Sequence, residues 1–338
     1  MSDAGLARAT AVIGAGAWGT ALADLLARNG HHVTLWAYEA DVAASIGSAR
    51  ENPRFLPGVE LAPSIRATNE LRAAVDGAKL VCLATPSHLL RGILRDAAPH
   101  VEREATLCVA TKGIEPGTLA LMTDVATAEA PGRPVVALSG PSFAAEVAAR
   151  QPTAVVAASD DDVASSFVQE AFSNAHFRVY THDDVVGVEL GGSLKNVMAV
   201  AAGIVDGVGL GLSSRAALIT RGLAEMTRLG VALGARPATF AGLAGIGDLV
   251  LTCTGSLSRN RAVGVEVGRG ASLEEALAGK ETVAEGVTTT RSAHVLAARE
   301  GVEMPIVEMV HRILFDGHPA RSAVHELMSR ELRAEQDA

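Results

Sequence analysis

Lysine is nearly absent from this chain. Of its 29 basic residues only four are lysine, at positions 79, 112, 195 and 280, and the other 25 are arginine. Lys112 and Lys195 fall inside glycine-flanked motifs, whereas Lys79 and Lys280 read as ordinary surface residues. Arginine does not release its proton, but lysine does once burial or a neighbouring cation lowers its pKa. A lysine kept in such a context points to proton exchange; chance placement is the plain alternative. Cysteine is scarce too. Cys82, Cys108 and Cys253 are too few and too scattered for a disulfide framework or a zinc site, and read as buried thiols. No apolar run approaches the roughly 20 residues of a membrane span, and Met1 to Arg8 carries no export signal, so a soluble protein of the cytoplasm is expected. A net charge of −9 speaks against nucleic acid and anionic membranes as partners. Any anionic ligand must be met by local basic groups. Repeats and low-complexity linkers are missing, and only residues 333–338 read as disordered.

A length of 338 residues suits two domains with a cleft between them. In the first half, short apolar runs alternate with helix-period stretches. Thr10–Ile13, Val33–Trp36, Leu80–Ala84, Leu107–Ala110 and Val135–Leu138 read as buried strands, and Thr20–Asn29 and Leu89–Ala97 as helices. That alternation predicts a parallel, doubly wound α/β sheet of Rossmann type. Thr153–Ala158 and Phe177–Thr181 extend the sheet beyond the nucleotide-binding core. From Val185 the texture changes to long Ala/Leu/Val/Gly stretches broken at Gly209–Gly211, Arg236-Pro237 and Met304-Pro305, so the second half is expected to be all helical. The expected domains are residues 1–183, binding a dinucleotide, and 184–338, helical and carrying substrate and catalytic groups.

Gly14-Ala-Gly16-Ala17-Trp18-Gly19 follows the first strand and opens a helix. Gly14 permits the tight turn, Gly16 lets a pyrophosphate approach the backbone, and Gly19 lets helix and strand pack closely, with the phosphates on the helix N-terminus. The strand and βαβ context turn a weak motif into a dinucleotide-binding expectation. Some 20 residues on, where the second strand meets the adenosine ribose, stands Glu39, beside Tyr38. A carboxylate there accepts a ribose 2′-hydroxyl and repels a 2′-phosphate, which favours NAD(H) over NADP(H). Glu39-Ala-Asp41 also reads as the acidic first turn of a solvated helix, and both readings stand.

Ala110-Thr-Lys112-Gly113, Leu138-Ser-Gly140-Pro-Ser142-Phe143, Gly192-Ser-Leu-Lys195-Asn196, Gly245-Ile-Gly-Asp248 and Ser258-Arg259-Asn260 follow the glycine loop in order. As a set, from about Thr10 to about Leu327, they resemble NAD(P)-dependent glycerol-3-phosphate dehydrogenase of the bacterial type. The resemblance implies reversible reduction of dihydroxyacetone phosphate to sn-glycerol 3-phosphate, supplying glycerophospholipid synthesis. It implies Lys195 as general acid and base, Lys112 in substrate and nicotinamide contact, and Asp248 contacting the lysine and the substrate hydroxyl. Ser258, Arg259 and Asn260, with Thr252, would hold the phosphate; Gly140, Ser142 and Asn196 would line the substrate pocket. Ala144, Arg259, Val283 and Glu285 would flank the cofactor. One departure concerns cofactor choice: the family often carries arginine where this chain has Glu39, with histidine or arginine in place of Tyr38.

Each residue also has a plain structural reading. Lys195 would be a helix lysine paired with Glu189, Asp248 a helix N-cap, and Ser256-Leu-Ser258 a polar loop entering a helix. Two ammonium groups in one cleft would lower each other's pKa, with Asp248 limiting the shift. His311, His318 and His325 recur every seven residues, but neither the spacing nor a cysteine supports a metal site; His31 and His32 read as exposed. The glycine- and alanine-rich helices after Leu210 suggest close-packing faces and a homodimer, or simply a buried core. Rival readings are a β-hydroxyacid or 6-phosphogluconate-type dehydrogenase and a non-catalytic NAD(H) sensor.

Overall fold

The computed structural model describes residues 8–279, 284–332 and 334–335. Eight strands form one sheet: β1 (Ala9–Ile13), β2 (His32–Trp36), β3 (Arg66–Thr68), β4 (Leu80–Leu83), β5 (Thr106–Val109), β6 (Val135–Ser139), β7 (Thr153–Ala158) and β8 (Phe177–His182). Their spatial order is β3-β2-β1-β4-β5-β6-β7-β8, with every adjacent pair parallel except β6 and β7. Strands β4 and β5 are buried throughout, because helices cover both faces and such strands need continuous apolar sequence. Cys82 and Cys108 sit side by side on them, buried free thiols.

The helices of this half are α1 (Ala17–Arg28), α2 (Ala40–Ala49), α3 (Leu71–Val75), α4 (Leu90–Ala97), α5 (Met122–Glu129), α6 (Ala144–Ala148) and α7 (Asp162–Phe172). After β8 the described residues hold only helices: α8 (Val185–Val208), α9 (Leu212–Ala232), α10 (Pro237–Phe240), α11 (Asp248–Thr254), α12 (Arg259–Gly268), α13 (Leu273–Leu277), α14 (Glu285–Glu300), α15 (Pro305–Phe315) and α16 (Ala320–Met328), with a π-helical turn at Leu243–Gly247 before α11. Helix α8 ends on Gly209 in the left-handed region, and Pro237 and Pro305 open α10 and α15, as the breaks in the sequence predict.

One strand was not foreseen, and two expectations need correction. Strand β3 is a short, polar Arg-Ala-Thr with no apolar run to announce it. Helix α8 is long and apolar enough to span a membrane by length and composition, with a mean hydropathy of 1.3, and Pro237–Thr254 passes the same test at 1.2. Glu189, Lys195 and Asp206 hide that run from a reading by eye, and the most apolar window of α8 is wholly buried by protein. His31 is buried rather than exposed, its Nε2 lying 3.2 Å from Ala171 O, and desolvation lowers its pKa; His32 is exposed as expected.

Helix α8 is the axis of the second half. It meets α12 backbone to backbone: a Cβ on Gly203 would stand 2.1 Å from Arg261 O, and one on Gly264 2.1 Å from Val200 O. Two glycines inside α9 are likewise used within the chain, Gly222 against Met198 and Gly230 against Phe240. They therefore give no support to a dimer.

Candidate active site

At the C-terminal edge of the sheet, the glycine loop crosses from β1 to α1. Gly14 has φ +112°, and a Cβ there would strike Ala84 O at 2.7 Å; one on Gly19 would lie 1.8 Å from Gly14 O. Gly16 is different. Nothing lies within 4 Å of its Cβ position, so the backbone faces open space at the N-cap of α1, where no side chain caps the helix. Uncovered first-turn N–H groups beside a bare backbone fit a pyrophosphate. Ala17 begins α1, and the partly buried Trp18 packs on the core with its Nε1 buried and unpaired.

Beyond the loop, the ends of β5 and β6 and two helices of the second half converge. Lys112, past the end of β5, donates to Gly140 O at 3.2 Å and to Asp248 Oδ2 at 2.7 Å. Lys195, buried on α8, donates to Asp248 Oδ1. Asp248 is fully buried in the first turn of α11, with its carboxylate spent on both lysines rather than on a helix cap. Burial is the largest cause holding Lys195 down to about 8; Lys112 lowers it further and Asp248 opposes both. The expected mutual effect of the lysines is therefore secondary to desolvation. Glu189 is not the partner of Lys195: it accepts from Thr123 N at 3.0 Å and from Thr123 Oγ1, and burial raises its pKa to about 7. Gly192 makes the room, for a Cβ there would lie 2.4 Å from Ser139 Oγ and 3.5 Å from Lys112 Cδ. Gly140 has φ +142°, and Ser142 Oγ donates back to its carbonyl at 3.0 Å.

Helix α12 opens at the same place. Ser258 Oγ caps it by accepting from Arg261 N at 3.2 Å, so the plain reading of Ser258 is present in the structure. Arg259 is exposed and, among the described residues, has no hydrogen-bond or ion-pair partner, yet the protein around its guanidinium desolvates it enough to lower its pKa against the pull of Glu285. Asn260 Nδ2 donates to Asn196 Oδ1 at 2.9 Å, while its Oδ1 accepts from Gly286 N at 2.9 Å. It ties α12 to α8 and α14. Thr252 is buried one turn beyond Asp248 on α11.

A buried and a half-buried lysine sharing one carboxylate, an arginine at a helix N-terminus with no partner among the described residues, and a bare glycine loop lie on motifs that match known proteins over nearly the whole chain. Residues 9–165 match the family "NAD-dependent glycerol-3-phosphate dehydrogenase N-terminus", and residues 184–325 match its C-terminus counterpart. A curated glycerol-3-phosphate dehydrogenase [NAD(P)+] of Geobacter sp. (strain M21) is 55% identical over 333 residues, 98% of this chain and 99% of the relative. The chain belongs to the NAD-dependent glycerol-3-phosphate dehydrogenase family. A homologue of the same name from Geobacter sulfurreducens is 57% identical over 327 residues, 96% of this chain and 98% of its own. The crystal structure of glycerol-3-phosphate dehydrogenase from Coxiella burnetii superposes with a TM-score of 0.93 at 41% identity, covering 96% of this chain and 99% of that one. Family membership makes the chain an NAD(P)-dependent oxidoreductase with a Rossmann-type sheet and a helical second half.

The remaining expected site residues lie at the cofactor side. Tyr38 is 79% exposed and edge-on to Trp36, with centroids 6.3 Å apart. Glu39 is the N-cap residue of α2, but its side chain makes no capping bond and, among the described residues, has no hydrogen-bond partner at the end of β2. Ala144 opens α6. Val283 lies outside the described residues, as does Lys280. Glu285, which the resemblance sets beside the cofactor, accepts from Ser87 N at 3.0 Å and Ser87 Oγ at 2.6 Å across the cleft, and burial raises its pKa. Ser87 carried no signal in the sequence. Ser193 was equally silent, although it stands two residues before Lys195; its hydroxyl is bonded to Gly113. The heptad histidines separate: His311 stacks on His294 at 4.2 Å and His318 Nε2 lies 2.8 Å from Glu326 Oε1.

Proposed function

We propose that this chain reduces dihydroxyacetone phosphate to sn-glycerol 3-phosphate reversibly, feeding glycerophospholipid synthesis, with residues 1–183 binding the dinucleotide and 184–338 supplying the catalytic groups. The observation that carries the reading is Asp248 buried between Lys112 and Lys195. The reduced nicotinamide supplies a hydride when bound. As the ketone becomes an alcohol its oxygen gains charge, and Lys195 Nζ gives it a proton; in reverse the neutral amine takes that proton back. A pKa of about 8 keeps both forms accessible near neutrality. Lys112, beside the carbonyl of Gly140, orients the substrate, while Asp248 holds the two ammonium groups in register.

The phosphate is met by Arg259, whose guanidinium has no hydrogen-bond or ion-pair partner among the described residues and whose fork suits a tetrahedral dianion. The N-terminus of α12 and the amide of Asn260 stand beside it, with Ser258, Thr252, Ser142 and Asn196 lining the pocket. On the cofactor side, Gly14, Gly16, Ala17, Trp18 and Gly19 hold the pyrophosphate, and Ala144 and Glu285 flank the nicotinamide half. The carboxylate of Glu39, with Tyr38 beside it, favours NAD(H). A homodimer would use the partly exposed α9, where Leu212 and Val231 lie open.

The test is steady-state oxidation of NADH and of NADPH with dihydroxyacetone phosphate, with unphosphorylated dihydroxyacetone as control. The expected result is turnover of the phosphate ester alone, faster with NADH. Equal or better use of NADPH would return Glu39 to a solvated first turn, and no turnover would overturn the reaction.

A further inference from the structure

We propose that Ser193 is a positioning residue for Lys112, its hydroxyl gripping the Gly113 backbone so that Lys112 is held against Asp248. The chain leaves the sheet just before Lys112: Ala110 N to Leu83 O, at 2.9 Å, is the last ladder bond. Thr111 then anchors itself by its hydroxyl to Thr85 O at 2.9 Å and Leu83 O at 3.2 Å. On the other side of Lys112, Gly113 has φ +158° and is pressed so close to Ser87 that a Cβ would lie 2.5 Å from that residue's Cβ.

Among the described residues, the Gly113 amide and carbonyl have one partner between them. Ser193 Oγ accepts from Gly113 N at 2.9 Å and donates to Gly113 O at 3.1 Å, and the residue is 1% exposed. Lys112 is thereby pinned from both flanks, by Thr111 on the sheet and by Ser193 on α8. One turn earlier on α8, Glu189 holds Thr123 at the far end of the same segment. Helix α8 carries Lys195 itself, so one rigid element sets the spacing of both lysines from Asp248.

Removing the hydroxyl leaves two buried backbone groups unpaired, a loss the loop relieves by shifting. Lys112 then draws back from Asp248. The groups facing Lys195 are Asp248, Lys112 and the Cys253 thiol, and Cys253, pushed up to about 12 by burial, stays neutral throughout. With Lys112 displaced, its repulsion weakens and Asp248 is left to Lys195 alone, so both changes raise the Lys195 pKa.

The chain has only four lysines, so lysine labelled at Cε gives a resolvable NMR titration of the cofactor-free protein. Lys195 should titrate near 8 in the wild type and at higher pH in Ser193→Ala. The alkaline limb of ketone reduction should move the same way, with kcat down about tenfold, the effect of roughly one lost hydrogen bond. A folded Ser193→Ala protein whose Lys195 titrates like the wild type overturns the proposal. Ser193→Cys, which fills the space but bonds weakly, must shift in the same direction, and an unchanged midpoint there overturns it too, even if the alanine variant does not fold. The inference rests on the reading of Lys195 as proton donor. Failure of the wild type to reduce dihydroxyacetone phosphate would remove that reading, while the titration still decides whether Ser193 positions Lys112.

Discussion

Asp248→Asn keeps the shape of the buried side chain and removes its charge. In the wild type, a Lys195 pKa of about 8 leaves roughly ten protonated amines for each neutral one at pH 7. The carboxylate favours the ammonium form, while burial and Lys112 oppose it. A unit-charge pair at 4 Å is worth about 4 kcal/mol at an effective dielectric of 20. If only half of that is lost, about 2 kcal/mol, the proton affinity of Lys195 falls about thirtyfold. At pH 7 the ratio then inverts to roughly three neutral amines for each protonated one. Ketone reduction, which needs the ammonium, should lose about fourfold from protonation alone. Its alkaline limb should move by more than one pH unit toward acid, and alcohol oxidation, which needs the neutral amine, should gain relative to reduction at neutral pH. Rate profiles from pH 5.5 to 10 in both directions read this directly. An alkaline limb that stays in place or moves upward in Asp248→Asn would refute the account of Lys195.

Arg259→Ala should raise KM for dihydroxyacetone phosphate by about a hundredfold, the loss of one strong charge-assisted contact, and leave the trace reaction with unphosphorylated dihydroxyacetone unchanged; equal losses on both would show that Arg259 is structural. Gly264→Ala puts a Cβ 2.1 Å from Val200 O, so α8 and α12 must part, at a cost of about 1–3 kcal/mol visible as a lower Tm. Gly16→Ala, with open space at its Cβ, should melt like the wild type yet bind the dinucleotide more weakly in a fluorescence titration. Glu225 accepts from Ile306 N at 2.8 Å, and its buried carboxyl is raised from 4.5 to about 7. The folded state therefore keeps a proton that the unfolded state loses near 4.5. The stability this group contributes is full below that pH and declines, by up to about 3 kcal/mol, as pH rises to 7. Glu225→Gln should flatten that decline in urea melts between pH 4.5 and 7.5, and an unchanged slope would refute the assignment.

Strands β1, β4, β5 and β6 were legible because a strand buried on both faces must be apolar along its length, and the glycine loop because its three glycines answer to separate steric demands. The two glycine-flanked lysines stood out because the chain has so few, whereas Asp248 and Arg259 were singled out by the family resemblance and not by residue chemistry alone. Strand β3 was not legible, since a polar three-residue edge strand takes its shape from its neighbour. The partners were not legible either. Glu189 stands six residues before Lys195 on the same helix but is bonded to Thr123, and Glu285 finds Ser87 198 positions away.

The sequence by itself determined most of the order of elements, the division between sheet and helices, and the glycine loop that opens the first helix. These depend on local sterics, periodicity and side-chain chemistry, which a short stretch of chain carries within it. Only the tertiary structure decided that one carboxylate serves two lysines, that burial more than the second cation lowers the pKa of Lys195, that Arg259 has no partner among the described residues while Asn260 is tied to two helices, and that Ser193 holds the backbone next to Lys112. Those are relations among residues tens to hundreds of positions apart, set by how closely α8 can approach the sheet and α12, and desolvation and pairing exist only once that approach is made.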